Sequence, residues 1–237
     1  MLVELFTSEG CSSCPPADEV MTRLAKTQPV PGAEIIALGE HVDYWNRLGW
    51  TDPFSSAEFS RRQREYASAF SSDEVYTPQM IVDGEQEFVG SNMAKARAAI
   101  ARAASMPKAT VEIRQAEDQG SASHATNSLK LEISVHDLPA AKPGESADVM
   151  LALTEDGLSS NVTRGENSGR RLTHNAVVRQ LIVIGRINHE EGGSFSAAPV
   201  LNIPGGWNRK TGHVVVFVQE RSSRRVLGAA STNLAAE

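Results

Sequence analysis

Hydrophobic and polar positions change their period several times along the first hundred residues. Residues 2–6 read as a short, mostly buried strand. Behind Pro15 and Pro16, the residues Ala17, Val20, Met21, Leu24 and Ala25 recur at helical spacing. Prolines suit the first helical turn, whose amide hydrogens have no intrahelical acceptor. Residues 33–38 read as a second buried strand, followed by an aromatic loop from His41 to Trp50. Ser55-Ser56-Ala57-Glu58 opens a helix through about Phe70, with Phe59, Tyr66, Ala67 and Phe70 on one face. Tyr76-Thr77-Pro78 leads into a strand at 79–82, Asp83-Gly84 makes a hairpin turn to a strand at 86–89, and a helix spans about 92–104.

Beyond Pro107 helical spacing largely stops and short alternating runs take over. Strands are expected at 110–115, 129–135, 148–153, 177–187, 195–201, 213–220 and 225–230. The polar stretch 117–128 is expected to be an exposed hairpin loop. The fold class that follows is α/β over residues 1–106, then a mostly antiparallel, sandwich-like β domain over 107–237.

Composition adds limits. Hydrophobic residues make up 41% of the 237, enough for a core. The net charge of −6 argues against an electrostatic hold on nucleic acid or an anionic membrane. No apolar run approaches the roughly 20 residues of a membrane span.

Two cysteines, Cys11 and Cys14, are the only ones in the chain. One short bridge closes too small a loop to stabilise a fold of this size, so chemistry explains the pair better than stability does. A Cys-x-x-Cys between a buried strand and a helix start is the setting of a redox dithiol. The helix N-terminus favours a thiolate, so Cys11 is assigned as nucleophile and Cys14 as resolving thiol. Ser12 and Ser13 carry no charge, and Glu9 and Asp18 oppose thiolate formation, so only a modest lowering of the Cys11 pKa is expected. A cis Pro78 would expose the backbone beside Thr77 to an extended substrate. His41 and Asp43 are candidates for proton transfer, and Tyr44 and Trp45 for the wall of a substrate groove, although these aromatics also suit plain packing.

The run from Val3 to Asp18, with Cys11-Ser12-Ser13-Cys14-Pro15-Pro16 at its centre, resembles the signature of a thioredoxin-like bacterial family of unknown function that is usually exported. The segments His41–Trp45 and Gly165–Arg170 through His174 and Arg179 resemble it too, so the likeness spans nearly the whole chain. It implies a thioredoxin-like N-terminal domain, a candidate dithiol and a periplasmic or secreted location. The strand pattern that starts directly after Met1 shows no signal segment, which keeps a cytoplasmic location as the alternative.

Three functions fit these residues. The first is a thiol–disulfide oxidoreductase acting on protein thiols or disulfides, without a cofactor and with a redox partner protein as a candidate partner. The second is copper binding or delivery by Cys11, Cys14 and His41, since two thiolates and an imidazole suit Cu(I). The third is a non-enzymatic binding module on the same scaffold, which burial of both sulfurs would favour. A polar cluster of Arg164, Glu166, Asn167, Arg170, Arg171, His174 and Arg179 either folds back over the dithiol or forms a solvated loop with an interdomain salt bridge. Asn161-Val162-Thr163 matches a glycosylation sequon, and Gly205-Gly206-Trp207 reads as a turn with an anchoring aromatic.

Overall fold

The structure is a computed structural model that describes residues 1–115, 128–140, 144–188 and 193–234. Most of the expected loop at 117–128 lies outside the described residues. The first stretch contains β1 (Leu2–Thr7), α1 (Pro15–Thr27), β2 (Ile36–His41), α2 (Ala57–Ala69), β3 (Gln79–Val82), β4 (Gln86–Val89) and α3 (Met93–Ala104). The second contains β5 (Thr110–Gln115), β6 (Ser128–His136), β7 (Ser146–Glu155), β8 (Leu158–Asn161), β9 (Arg171–His174), β10 (Val177–Asn188), β11 (Phe195–Ala197), β12 (Val200–Asn202), β13 (Gly212–Glu220) and β14 (Val226–Asn233).

Local differences from the pattern have local causes. Strand β2 begins at Ile36 and not at Ala33. Ala33 closes a turn by donating to the Val30 carbonyl, and the Gln28 side chain takes both polar groups of the Ile35 backbone. Helix α2 is capped by Ser56, whose hydroxyl accepts from the Glu58 N–H. The expected strand at 195–201 is two strands. Pro199, which has no N–H to give a ladder, falls in the gap between them. The hairpin β8–β9 is an addition, since its few residues carry too little alternation to be read.

The two stretches share one eight-stranded sheet, ordered β14-β13-β7-β10-β2-β1-β3-β4. The seam lies between β10 and β2, where Val177 pairs parallel with Gly39 and the Gly39 N–H donates to the Ala176 carbonyl at 2.7 Å. A Cβ on Gly39 would stand 3.2 Å from the Met21 methyl and 3.4 Å from the carbonyls of Asn175 and Ala176, so a small residue lets these backbones meet. At the far hairpin Asp83 and Gly84 both take positive φ, 46° and 68°, and a Cβ on Gly84 would collide with the Arg224 carbonyl.

Three apolar layers follow. Helices α1 and α3 cover one face of β1–β4 through Leu5, Leu24, Met80 and Ile100. Helix α2 covers the opposite face and straddles the seam: Phe59 and Tyr66 pack with Phe6 and Leu38 on one side and with Val178 and Phe217 on the other. A smaller sheet, β11-β6-β12 with β5 beside β6, packs its Leu131, Ile133 and Val135 onto β7 and β13. Under α2 sits a buried polar cluster. Arg62 donates to Glu4 at 2.7 Å and to Gln219 at 3.0 Å, lies 3.3 Å from Glu40, and so ties α2 to β1, β2 and β13. Among the described residues, no helix is long and apolar enough to cross a membrane.

Candidate functional site

The sequence places Cys11 in the turn after β1 and Cys14 at the N-cap of α1. The two are joined as a disulfide, with Cα atoms 5.5 Å apart. Cys14 accepts at its carbonyl from the N–H groups of Ala17 and Asp18, so the first turn of α1 is wound directly onto the dithiol. Both residues are buried, Cys11 at 1% exposure and Cys14 at 0%, beneath exposed Ser12 and Ser13. The Cys11 sulfur lies 3.3 Å from the Ser13 hydroxyl and 3.9 Å from the Thr77 carbonyl oxygen. The Thr77–Pro78 peptide is cis, and the Thr77 carbonyl makes this corner a neighbour of the dithiol.

The aromatic loop divides between these neighbours. Trp45 donates its indole N–H to the Thr77 hydroxyl at 2.8 Å and stands beside the dithiol wall. Tyr44 donates to Gln63 at 3.1 Å with its hydroxyl near the Thr77 and Trp45 side chains, and burial raises its phenol pKa. Asp43 accepts from the Ser60 hydroxyl at 2.5 Å while its N–H donates back at 3.1 Å, a tie to α2. His41 is buried and its Nδ1 lies 2.7 Å from Asp52. Burial raises the Asp52 pKa, but His41 and the N–H groups of Glu9 and Phe54 outweigh it and hold the carboxyl below its ordinary range. Among the described residues, no group of three or more histidine, cysteine or acidic side chains is arranged to hold a metal.

Residues flanking the dithiol form a second, deeper network. The Glu9 carboxylate is buried and accepts from Trp50 at 2.8 Å, from the Ser160 hydroxyl and from His174 Nε2 at 3.2 Å. Asp18 accepts from Thr7 at 3.0 Å, and its other oxygen stands 3.4 Å from His174 Nδ1, an ion-pair distance without hydrogen-bond alignment. Burial opposes a charge on His174, but Asp18 and Glu9 together prevail and its pKa is pushed up to about 9. His174 also packs edge-on against His41, ring centres 4.6 Å apart. Glu9 and Asp18 therefore do not face the dithiol as bare charges; a shared imidazolium offsets them.

A strap from the second stretch crosses the site. Asn167 is buried and donates to the carbonyls of Glu9 and Cys11, both at 2.9 Å. Glu166 accepts from the Ser12 N–H at 2.9 Å, and its hydrogen bonds to Ser12 hold its carboxyl below the usual range. Arg170 donates to Asn167 at 2.9 Å and holds the amide in that pose. Glu166, Asn167 and Arg170 of the polar cluster thus fold back over the dithiol and His174 sits between its flanking acids, whereas Arg171 bonds Ser159 at 3.1 Å and Arg179 pairs with Glu155 at 2.9 Å. Asp52, Trp50 and Ser160 were not legible as partners of this site, because each is a lone polar or aromatic residue in a loop or short strand with no motif around it.

A family model described as a protein of unknown function (DUF1223) matches residues 2–219. A crystal structure of an Agrobacterium tumefaciens protein is similar over 100% of this chain and 95% of its own, at 26% identity and a TM-score of 0.71. HBP35 of Porphyromonas gingivalis shares the fold over 98% of this chain and 74% of its own, at 14% identity and a TM-score of 0.67. No curated protein matches significantly.

Proposed function

The chain belongs to that DUF1223 family, and we propose that it is a thiol–disulfide oxidoreductase built on a thioredoxin-like N-terminal half, acting on protein thiols or disulfides outside the cytoplasm. The observation that carries this reading is the Cys11–Cys14 pair at the start of α1, with the Cys11 sulfur beside the Thr77 backbone. In the reduced enzyme the Cys11 thiolate attacks one sulfur of a substrate disulfide and releases the other as a thiolate, which takes up a proton. Cys14, deprotonated, then attacks the Cys11 sulfur, re-forms the Cys11–Cys14 bond and frees the second substrate thiol. Two electrons pass from the dithiol to the substrate, and the reverse sequence oxidises a substrate dithiol.

The dipole of α1 favours the thiolate although Pro15 and Pro16 supply no N–H and the Ala17 and Asp18 amides are taken by the Cys14 carbonyl, whereas Glu166 lies against Ser12 and opposes it. The balance suits a mid-range potential. The test is a redox titration of the pair against glutathione or dithiothreitol, read by alkylation and mass. A reversible transition between about −120 and −270 mV supports the reading. Burial of both cysteines favours the second reading, a structural bridge on a binding module. A pair still oxidised well below about −300 mV, or one that never alkylates, establishes that second reading instead.

A further inference from the structure

A groove of about 760 Å³ runs alongside α1, from Pro15 and Pro16 next to Cys14 to Asn175, where the side-chain amide donates to the Thr22 hydroxyl. That volume is within the range of roughly 300–1,000 Å³ usual for ligand clefts. Its far wall is β9. This strand is paired with β8 on one side only, so among the described residues its other edge carries backbone groups without strand partners.

The groove is lined by four cations, Arg23 and Lys26 from α1 and Arg170 and Arg171 from β9 and its approach. All four are exposed, and no described carboxylate lies within ion-pair distance of any of them. Of the two acids in the lining, Asp18 is committed to His174, which leaves Glu19 against four positive charges. This concentration occurs on a chain whose net charge is −6. An open strand edge facing a helix across a cleft admits an extended polypeptide as an added strand, whose main chain supplies the pairing and whose side chains meet the helix.

We propose that this groove binds a short acidic polypeptide segment in extended form, paired with the β9 edge and held by Arg23, Lys26, Arg170 and Arg171. One end of the groove is the start of α1, so a bound segment lies beside the dithiol, and under the redox reading it belongs to the substrate. Arg170 also holds Asn167, so an acidic side chain that captures Arg170 competes for the contact that fixes the strap over Cys11.

The test uses the full oxidised protein and a fluorescein-labelled, cysteine-free octapeptide alternating Asp or Glu with Val, followed by anisotropy. Because the peptide has no cysteine and the protein is oxidised, the result is independent of redox activity. The expected result is saturable binding that weakens with salt, drops about tenfold or more in Arg23→Glu/Arg171→Glu, and slows amide exchange at Thr173. Both substituted side chains are exposed, and circular dichroism of the variant verifies its fold. The proposal is overturned by an absence of saturable binding, by equal affinity in the variant, by unchanged exchange at Thr173, or by binding to anionic phospholipid vesicles without binding to the peptide.

Discussion

His174 shows how one side chain can be worth more in the fold than its type suggests. It is buried between two carboxylates that sit on either side of the dithiol, Glu9 before it and Asp18 after it. Its pKa stands near 9 against an ordinary 6.5. The stabilisation from this raised pKa is fully present below the unfolded value and is lost as pH rises through the folded one. That window runs from about pH 6.5 to 9, and a shift of this size corresponds to about 3 kcal/mol at most. We expect the unfolding free energy of the wild type to fall between those pH values and that of His174→Gln to start lower and stay flatter. Urea titrations at pH 6 and pH 9.5 measure both; equal slopes would remove His174 from this role.

At the scale of elements, α2 is held by polar contacts as much as by its apolar face. Arg62 is buried against Glu4 and Glu40, and burial raises the Glu40 carboxyl pKa well above its ordinary value. One guanidinium thus bonds the Glu4 carboxylate and stands beside the Glu40 carboxyl on the neighbouring parallel strand, with Tyr66 bonding the second oxygen of Glu4. Removing it strands Glu4 without a counter-charge, which costs about 3–5 kcal/mol in buried pairs. Arg62→Met keeps the volume and is expected to lose that amount in chemical denaturation. Glu40→Gln is expected to gain stability at pH 8 relative to the wild type, because it removes a group that the unfolded chain ionises and the folded one resists ionising. A loss of stability in Glu40→Gln would contradict that account.

At the scale of the molecule, the shared sheet makes the two stretches one mechanical body. Helix α2 covers strands from both, and the strap residues Glu166 and Asn167 reach a loop more than 150 positions earlier in the chain. The full chain is therefore expected to unfold in one cooperative transition. Gly39→Val, at the seam, is expected to lower the whole transition by about 1–3 kcal/mol, since the added side chain meets Met21 and two carbonyls. Calorimetry distinguishes this from two independent units, in which the substitution would split the melt into separate peaks.

Much of this was present in the order of residues. Periodicity placed α1, α2, α3 and most strands, because those signals are local: prolines at a first turn, Asp83-Gly84 at a hairpin, alternation of valines and leucines in β7, β10 and β13. The dithiol was legible for the same reason, since Cys11 and Cys14 lie three positions apart. Two further pieces were legible only as suggestions: that the segment around Asn167 folds back, and that Pro78 is cis. Tertiary structure alone decided which partners these residues have. Pairing of Gly39 with Val177, capture of His41 by Asp52, and the sharing of His174 between Glu9 and Asp18 join residues whose sequence separation carries no local signal. Local sterics and capping act over a few residues and leave a readable pattern. A buried charge finds its counter-charge wherever the chain brings one, and that position is set by the packing of the whole.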